Sequence, residues 1–177
     1  MRQMRSAPVD MCSPALGPDA LSAQALAAAH INPHTRLATD YLNHFNEAIM
    51  LLDMIPAMPE CAEDFLSWQP LSYREHFRQS NFTGRELAIA AYDAADPEIR
   101  ARFDGLCETL TGILVAIRNA MTETTRDATR LRLAAQASDW LKPLVVQMGG
   151  VINGAAAAVA PRVEPQSDAD RIMSARL

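Results

Sequence analysis

The chain has 177 residues, of which 49% are hydrophobic, 21% charged and only 6% aromatic, with a formal net charge of −5. That length suits one domain of ordinary size, which can bury enough surface to fold without a disulfide or metal staple. The acidic balance lacks the electrostatic footprint that draws proteins to phosphate backbones, which argues against nucleic acid as a partner.

Every basic residue except Lys142 is arginine, which fits the codon bias of a GC-rich genome and leaves room for planar Arg contacts. Cys12, Cys61 and Cys107 are odd in number, widely spaced and without a CxxC pair, so neither a disulfide framework nor a zinc site is expected. Cys107 lies beside an apolar stripe and reads as a small core residue. This usage points to a reducing, cytoplasmic setting. Arg2 and Arg5 are followed by Ser6-Ala7-Pro8-Val9-Asp10 rather than by an apolar run, so no signal peptide is expected. The most apolar tract, residues 144–160, is interrupted by Gln147, Asn153 and three glycines, so no membrane span is expected either.

Residues 1–32, with Pro8, Pro14, Gly17 and Pro18, read as a flexible leader that carries at most a weak helix over 19–30, capped by Asp19. Residues 33–160 read as a single helical-bundle domain, and 161–177 as a flexible tail. The first strong helix is expected from Pro33 to Ile55. Leu37, Tyr41, Phe45, Ala48, Leu52 and Ile55 recur there at helical steps, and Pro56 and Pro59 end the run. Pro59 can open a short helix through Phe65 and Trp68 that stops at Gln69-Pro70. Ser72 and Glu75 have the spacing of a capping box, and Thr83 with Glu86 repeats it, flanked by Phe82 and Leu87 as a hydrophobic staple.

Asp96-Pro97-Glu98 is a helix start with an acid at the N-cap and proline at the first position. Ile99, Phe103, Leu106, Leu110, Ile113, Ile117 and Met121 then form a seam of the kind helices bury in bundles. Beside it runs a stripe of small residues: Ala101, Gly105, Thr109, Gly112 and Ala116. Glycine inside a helix costs about 1 kcal/mol relative to alanine, so the stripe suggests the close approach of a second helix, from the same chain or from a second copy. A last long helix starts near Thr125 and meets Pro143, which should kink or break it. No stretch alternates like a strand. The expected fold is all-α: about four main helices, short connecting ones and disordered ends.

Three groups of residues can carry function. Asp40, His44 and Glu47 follow i, i+4 and i, i+3 steps along one helix edge, where a carboxylate can orient an imidazole or join it as a metal ligand; Glu75 and His76 are candidates from a second helix. The bland reading is a satisfied helix-edge pair. Di-iron bundles use Glu-x-x-His on two helices, and none occurs here. Phosphotransfer through His44 is opposed by Glu47, whose charge would repel a phosphohistidine. No G-x-S-x-G, H-E-x-x-H or supported Cys–His pair points to hydrolysis. His30 and His34 flank Pro33 in a linker and are expected in solvent.

The second group is Trp68, Tyr73, Arg74, Phe77 and Arg78, residue types that recur at binding hot spots. The competing reading has the rings plugging the side of the bundle while the arginines pair with acids. Met50, Met54 and Met58 could line an apolar pocket beside them. The third group is the small-residue stripe. The sequence is best read as a regulatory or adaptor bundle without catalysis or cofactor. It would bind a protein partner and form a homodimer through the stripe. The alternative is a metal- or small-ligand-binding bundle that uses Asp40, His44 and Glu47.

Overall fold

In a computed structural model, residues 21–124 and 126–155 are described. The chain forms seven α-helices in this range: α1 (Ala23–Ala28), α2 (Leu42–Met54), α3 (Cys61–Ser67), α4 (Tyr73–Gln79), α5 (Arg85–Asp93), α6 (Pro97–Glu123) and α7 (Asp127–Ile152). A 3-10 turn, Thr39–Tyr41, leads into α2. No strand occurs among the described residues; the nearest thing is an isolated antiparallel bridge between Ile31 and Ala38. The all-α class therefore holds, with two long helices, one of middle length and four short ones. No helix among these residues is long and apolar enough to cross a membrane.

The long pair organises the molecule. Helices α6 and α7 are each about 40 Å long at 1.5 Å per residue, and the two pack against each other. Arg130 of α7 ties them together, its Nε donating to the carbonyls of Met121 (3.0 Å) and Thr124 (3.1 Å). Those carbonyls belong to the end of α6, where no helical donor follows, so a cationic donor is favoured there. Helix α2 lies against α7. Leu42 meets Gly149 at one end, and Asp53 meets Ser138 and Lys142 at the other, so the two run antiparallel. The core they share with α6 is filled by Phe45, Leu52, Phe103, Leu110, Leu114, Met121, Leu141 and Met148, all without exposure.

Local signals explain most of the helix boundaries. Ser72 and Glu75 form the complete capping box that opens α4. Asp96 accepts from the N–H groups of Glu98 and Ile99, with Pro97 at the first position of α6. Several expectations need correction. The cap of α1 is Ser22 rather than Asp19, which lies outside the described residues. Leu26 and Ile31, both in the core, make residues 21–32 part of the folded body rather than of a leader; the expected leader before Leu21 and the tail over 161–177 fall outside the described residues. Helix α5 starts behind Gly84 with no side-chain cap, so the Thr83–Glu86 box is not formed. Finally, of the expected kink or break at Pro143, the break does not occur: α7 runs through it as one helix. Pro143 and Asp139, whose carbonyl loses its donor, are both exposed, so water can take that bond.

The expected helix from Pro33 is also shorter, since α2 starts at Leu42. Residues 30–38 form a tight loop in its place. His30 and Arg36 have positive φ (56° and 60°), and the Asn32 carboxamide accepts from the N–H groups of His34 and Thr35. An Asx turn of this kind competes with helix. Two ties hold the loop to distant helices: Ala38 N–H donates to the Tyr73 hydroxyl (3.0 Å), and the buried Thr35 hydroxyl donates to the Ile152 carbonyl (2.6 Å).

Candidate functional site

Where the loop, α2, α4, α5 and α6 meet, the chain concentrates its few aromatic residues. Tyr41, Phe45, Trp68, Tyr73, Phe77, Phe82, Tyr92 and Phe103 form one connected set of rings, with the imidazoles of His44 and His76 among them. The polar atoms of this layer are tied to backbone. His44 Nε2 accepts the Leu71 N–H (3.0 Å), Tyr41 donates its hydroxyl to the Leu71 carbonyl (2.8 Å), and Trp68 Nε1 donates to the His44 carbonyl (3.3 Å). The extended strap 68–72 is thus pinned at Leu71 from both sides, by Tyr41 of the 3-10 turn and His44 of α2. Arg118 of α6 holds its other end through the Trp68 carbonyl (3.0 Å).

His44 is 6% exposed and stacks on Trp68, with ring centroids 4.8 Å apart. Burial first, and the neighbouring His76 second, lower its pKa from the ordinary 6.5 to about 4. The imidazole is therefore neutral at physiological pH, with the proton on Nδ1 because Nε2 is the acceptor. Burial also raises the Tyr41, Tyr73 and Tyr92 hydroxyls above the usual range. Burial, and then the Asp104 carboxylate, push the Cys107 thiol up to about 12, so little thiolate is present for chemistry.

The predicted edge of Asp40, His44 and Glu47 is not brought together. Asp40 turns instead to His76 of α4, Oδ2 to Nε2 at 3.2 Å, and to Asn43 (3.2 Å), while Glu47 is exposed. The reason lies in tertiary structure: His44 points inward to Trp68 and Leu71, and Asp40 sits in the 3-10 turn before the helix proper. Glu75 is closed into its capping box with Ser72. Among the described residues, no three His, Cys, Asp or Glu side chains converge in a way that could hold a metal ion.

The predicted aromatic surface is corrected as well. Trp68 (8% exposed), Tyr73 (3%) and Phe77 (0%) are core: α4 packs on α5 and the 3-10 turn, with Tyr73 reaching Phe103 of α6, and Trp68 stacks on His44 of α2. Arg74 and Arg78 remain exposed, the former paired with Asp93 and lying 5.1 Å over the Tyr92 ring. The small-residue stripe is where the sequence placed it, along the outside of α6. Ala101, Gly105, Thr109, Gly112 and Ala116 are all exposed, and a Cβ built on Gly105 or Gly112 meets nothing within 4 Å. No helix of this chain among the described residues takes up that space.

Two open cavities flank the ring layer. The first, of 510 Å³, is an apolar groove between the strap and α6, lined by Tyr41, Pro70, Leu71, Cys107, Gly112 and Val115, with Glu108 at its side. The second, of 450 Å³, is polar and lies at the start of α2, lined in part by His30, Asp40, Asn43 and Asn46. Met50, Met54 and Met58 line neither. Sequence reasoning missed both cavities. A signal for the second was present in the polar run Asp40, Asn43, Asn46 at three-residue steps. For the groove, only the unstructured Gln69-Pro70-Leu71 between two helices hinted at a strap. Comparison of the chain with protein-family models, with curated proteins and with solved structures gave no match.

Proposed function

We propose that the protein acts by binding: a regulatory or adaptor bundle that engages a protein partner and self-associates through the outer face of α6. The observation that carries this reading is the exposed stripe itself. Two glycines in the middle of a 27-residue helix weaken it by about 1 kcal/mol each, and nothing among the described residues packs against them. A second helix at close range would give them a purpose. In an antiparallel twofold contact Ala101 and Gly105 of one copy would face Ala116 and Gly112 of the other, so small residues would meet small residues on both sides of the axis. The apolar groove adjoins this face at Gly112 and supplies a second concave surface for a partner.

Light scattering of the wild type against Gly112→Leu tests self-association. The expected result is a dimer for the wild type at micromolar concentration and a monomer for the variant. Because a side chain at position 112 has open space within the protomer, the variant should keep its circular dichroism and its thermal transition. Monomers in both cases would remove the dimer from this reading. The alternative, a metal or small ligand held by Asp40, His44 and Glu47, has support at Asp40 alone, which pairs with His76. Stoichiometric metal in protein purified without a histidine tag would favour it.

A further inference from the structure

The polar cavity at the start of α2 combines four features. First, its side chains are amphoteric. Asp40, Asn43 and Asn46 follow one another along one side of the helix, with Thr39 and His30 completing the rim. Asp40 spends one lone pair of each oxygen on Asn43 Nδ2 and His76 Nε2, which leaves each oxygen further acceptor capacity. The carboxamides and the Thr39 hydroxyl can each donate and accept. Second, the backbone adds little: the Leu42 N–H at the start of α2 is already spent on the carbonyls of Thr39 and Asp40, so recognition falls to the side chains.

Third, the electrostatics oppose a strongly charged ligand. The lining contains no Arg or Lys, and Asp40 brings a negative charge that repels phosphate or carboxylate. The positive end of the helix dipole lies at the same place and disfavours a cation. The two effects offset each other. Fourth, one wall is a flat apolar ring, Phe82, held in place against Phe77 with centroids 5.3 Å apart.

His30 adds a further constraint. It ends α1 in a complete Schellman motif, His30 N–H bonding the Ala27 carbonyl (3.1 Å) and Ile31 N–H the Leu26 carbonyl (2.9 Å). That position has φ 56° and is normally glycine; here it carries an imidazole that reaches the cavity.

From these features we propose that the cavity is a binding site for a small, neutral, hydroxyl-rich molecule of the sugar or cyclitol class. Hydroxyls, which donate and accept at once, match the amphoteric rim, and the C–H face of the ring lies on Phe82. The volume of 450 Å³ lies in the range of small-molecule sites. The site is separate from the α6 stripe and stands or falls without it.

The test is saturation-transfer NMR and calorimetry on the full chain with D-glucose, D-ribose and myo-inositol, beside choline, inorganic phosphate and adenine. At least one of the three polyols should bind saturably in the millimolar range. The double variant Asn43→Ala/Asn46→Ala, both positions being exposed, should keep the wild-type circular dichroism and lose roughly tenfold in affinity or more. The proposal is overturned if no polyol saturates below about 50 mM. It is equally overturned if the folded double variant binds like the wild type, or if choline, phosphate or adenine binds more tightly than every polyol. Should the double variant fail to fold, Thr39→Val and Asn46→Asp, each alone, serve as the same test.

Discussion

His44 is the residue at which sequence and structure assign different work to the same side chain. The fold uses it as a neutral acceptor for the Leu71 N–H, inside a layer of rings. Its pKa falls from 6.5 to about 4 on folding, so between those values the unfolded chain takes up a proton that the folded chain refuses. The stability it contributes is fully present above pH 6.5 and is lost as the pH falls towards 4, where the folded imidazole also titrates. The gap corresponds to roughly 3 kcal/mol. Urea denaturation at pH 7 and at pH 4.5 should show this loss in the wild type. A His44→Gln variant, which keeps an acceptor without a charge change in this range, should lose less between the same two pH values. Equal losses in both proteins would place the acid sensitivity elsewhere.

At the scale of the element, α6 is defined by a strong start and an unusual outer face. The Asp96-Pro97 start was legible because a cap acts within one turn and needs no knowledge of the rest of the fold. The seam was legible too: Phe103, Leu110, Ile117 and Met121 are all buried. What the glycines face could not be read from spacing, since a small residue marks close approach without saying which helix approaches. Gly105 has open space beyond its Cα, so Gly105→Ala should raise the thermal stability of the monomeric state by about 0.5–1 kcal/mol. Chemical denaturation at nanomolar protein, where self-association is suppressed, would measure this. A destabilised variant would mean that a neighbour already fills that space.

At the scale of the whole molecule, the ends of the described chain are joined. The Thr35 hydroxyl, fully buried in the 30–38 loop, caps the carbonyl of Ile152 at the end of α7. That carbonyl belongs to the last turn, where helical donors run out. Thr35→Val keeps the shape and removes the donor, leaving a buried acceptor without this partner. The expected cost is about 1–3 kcal/mol, read as a lower urea midpoint with unchanged secondary structure. Hydrogen exchange should show the extra opening in residues 150–154 and in the loop together, because the two are held by the same bond. No change in either would mean that the loop and α7 are not coupled.

The sequence by itself determined the all-α class, the Ser72–Glu75 capping box, the start of α6 and the proline-bounded ends of α2 and α3, because these depend on interactions within three or four residues. Only the tertiary structure decided where the chemistry-bearing side chains point. Asp40 finds His76 across 36 residues of chain, not His44 four residues away. Trp68 turns inward onto His44 of α2, and Tyr73 and Phe77 turn inward because α4 packs on α5 and the 3-10 turn. The low aromatic content met at the outset thus has a structural meaning: most of those rings fill one layer between two cavities. Helical periodicity tells which residues share a face, but what that face meets is set by contacts between segments far apart in the chain, and those contacts form only when the elements assemble.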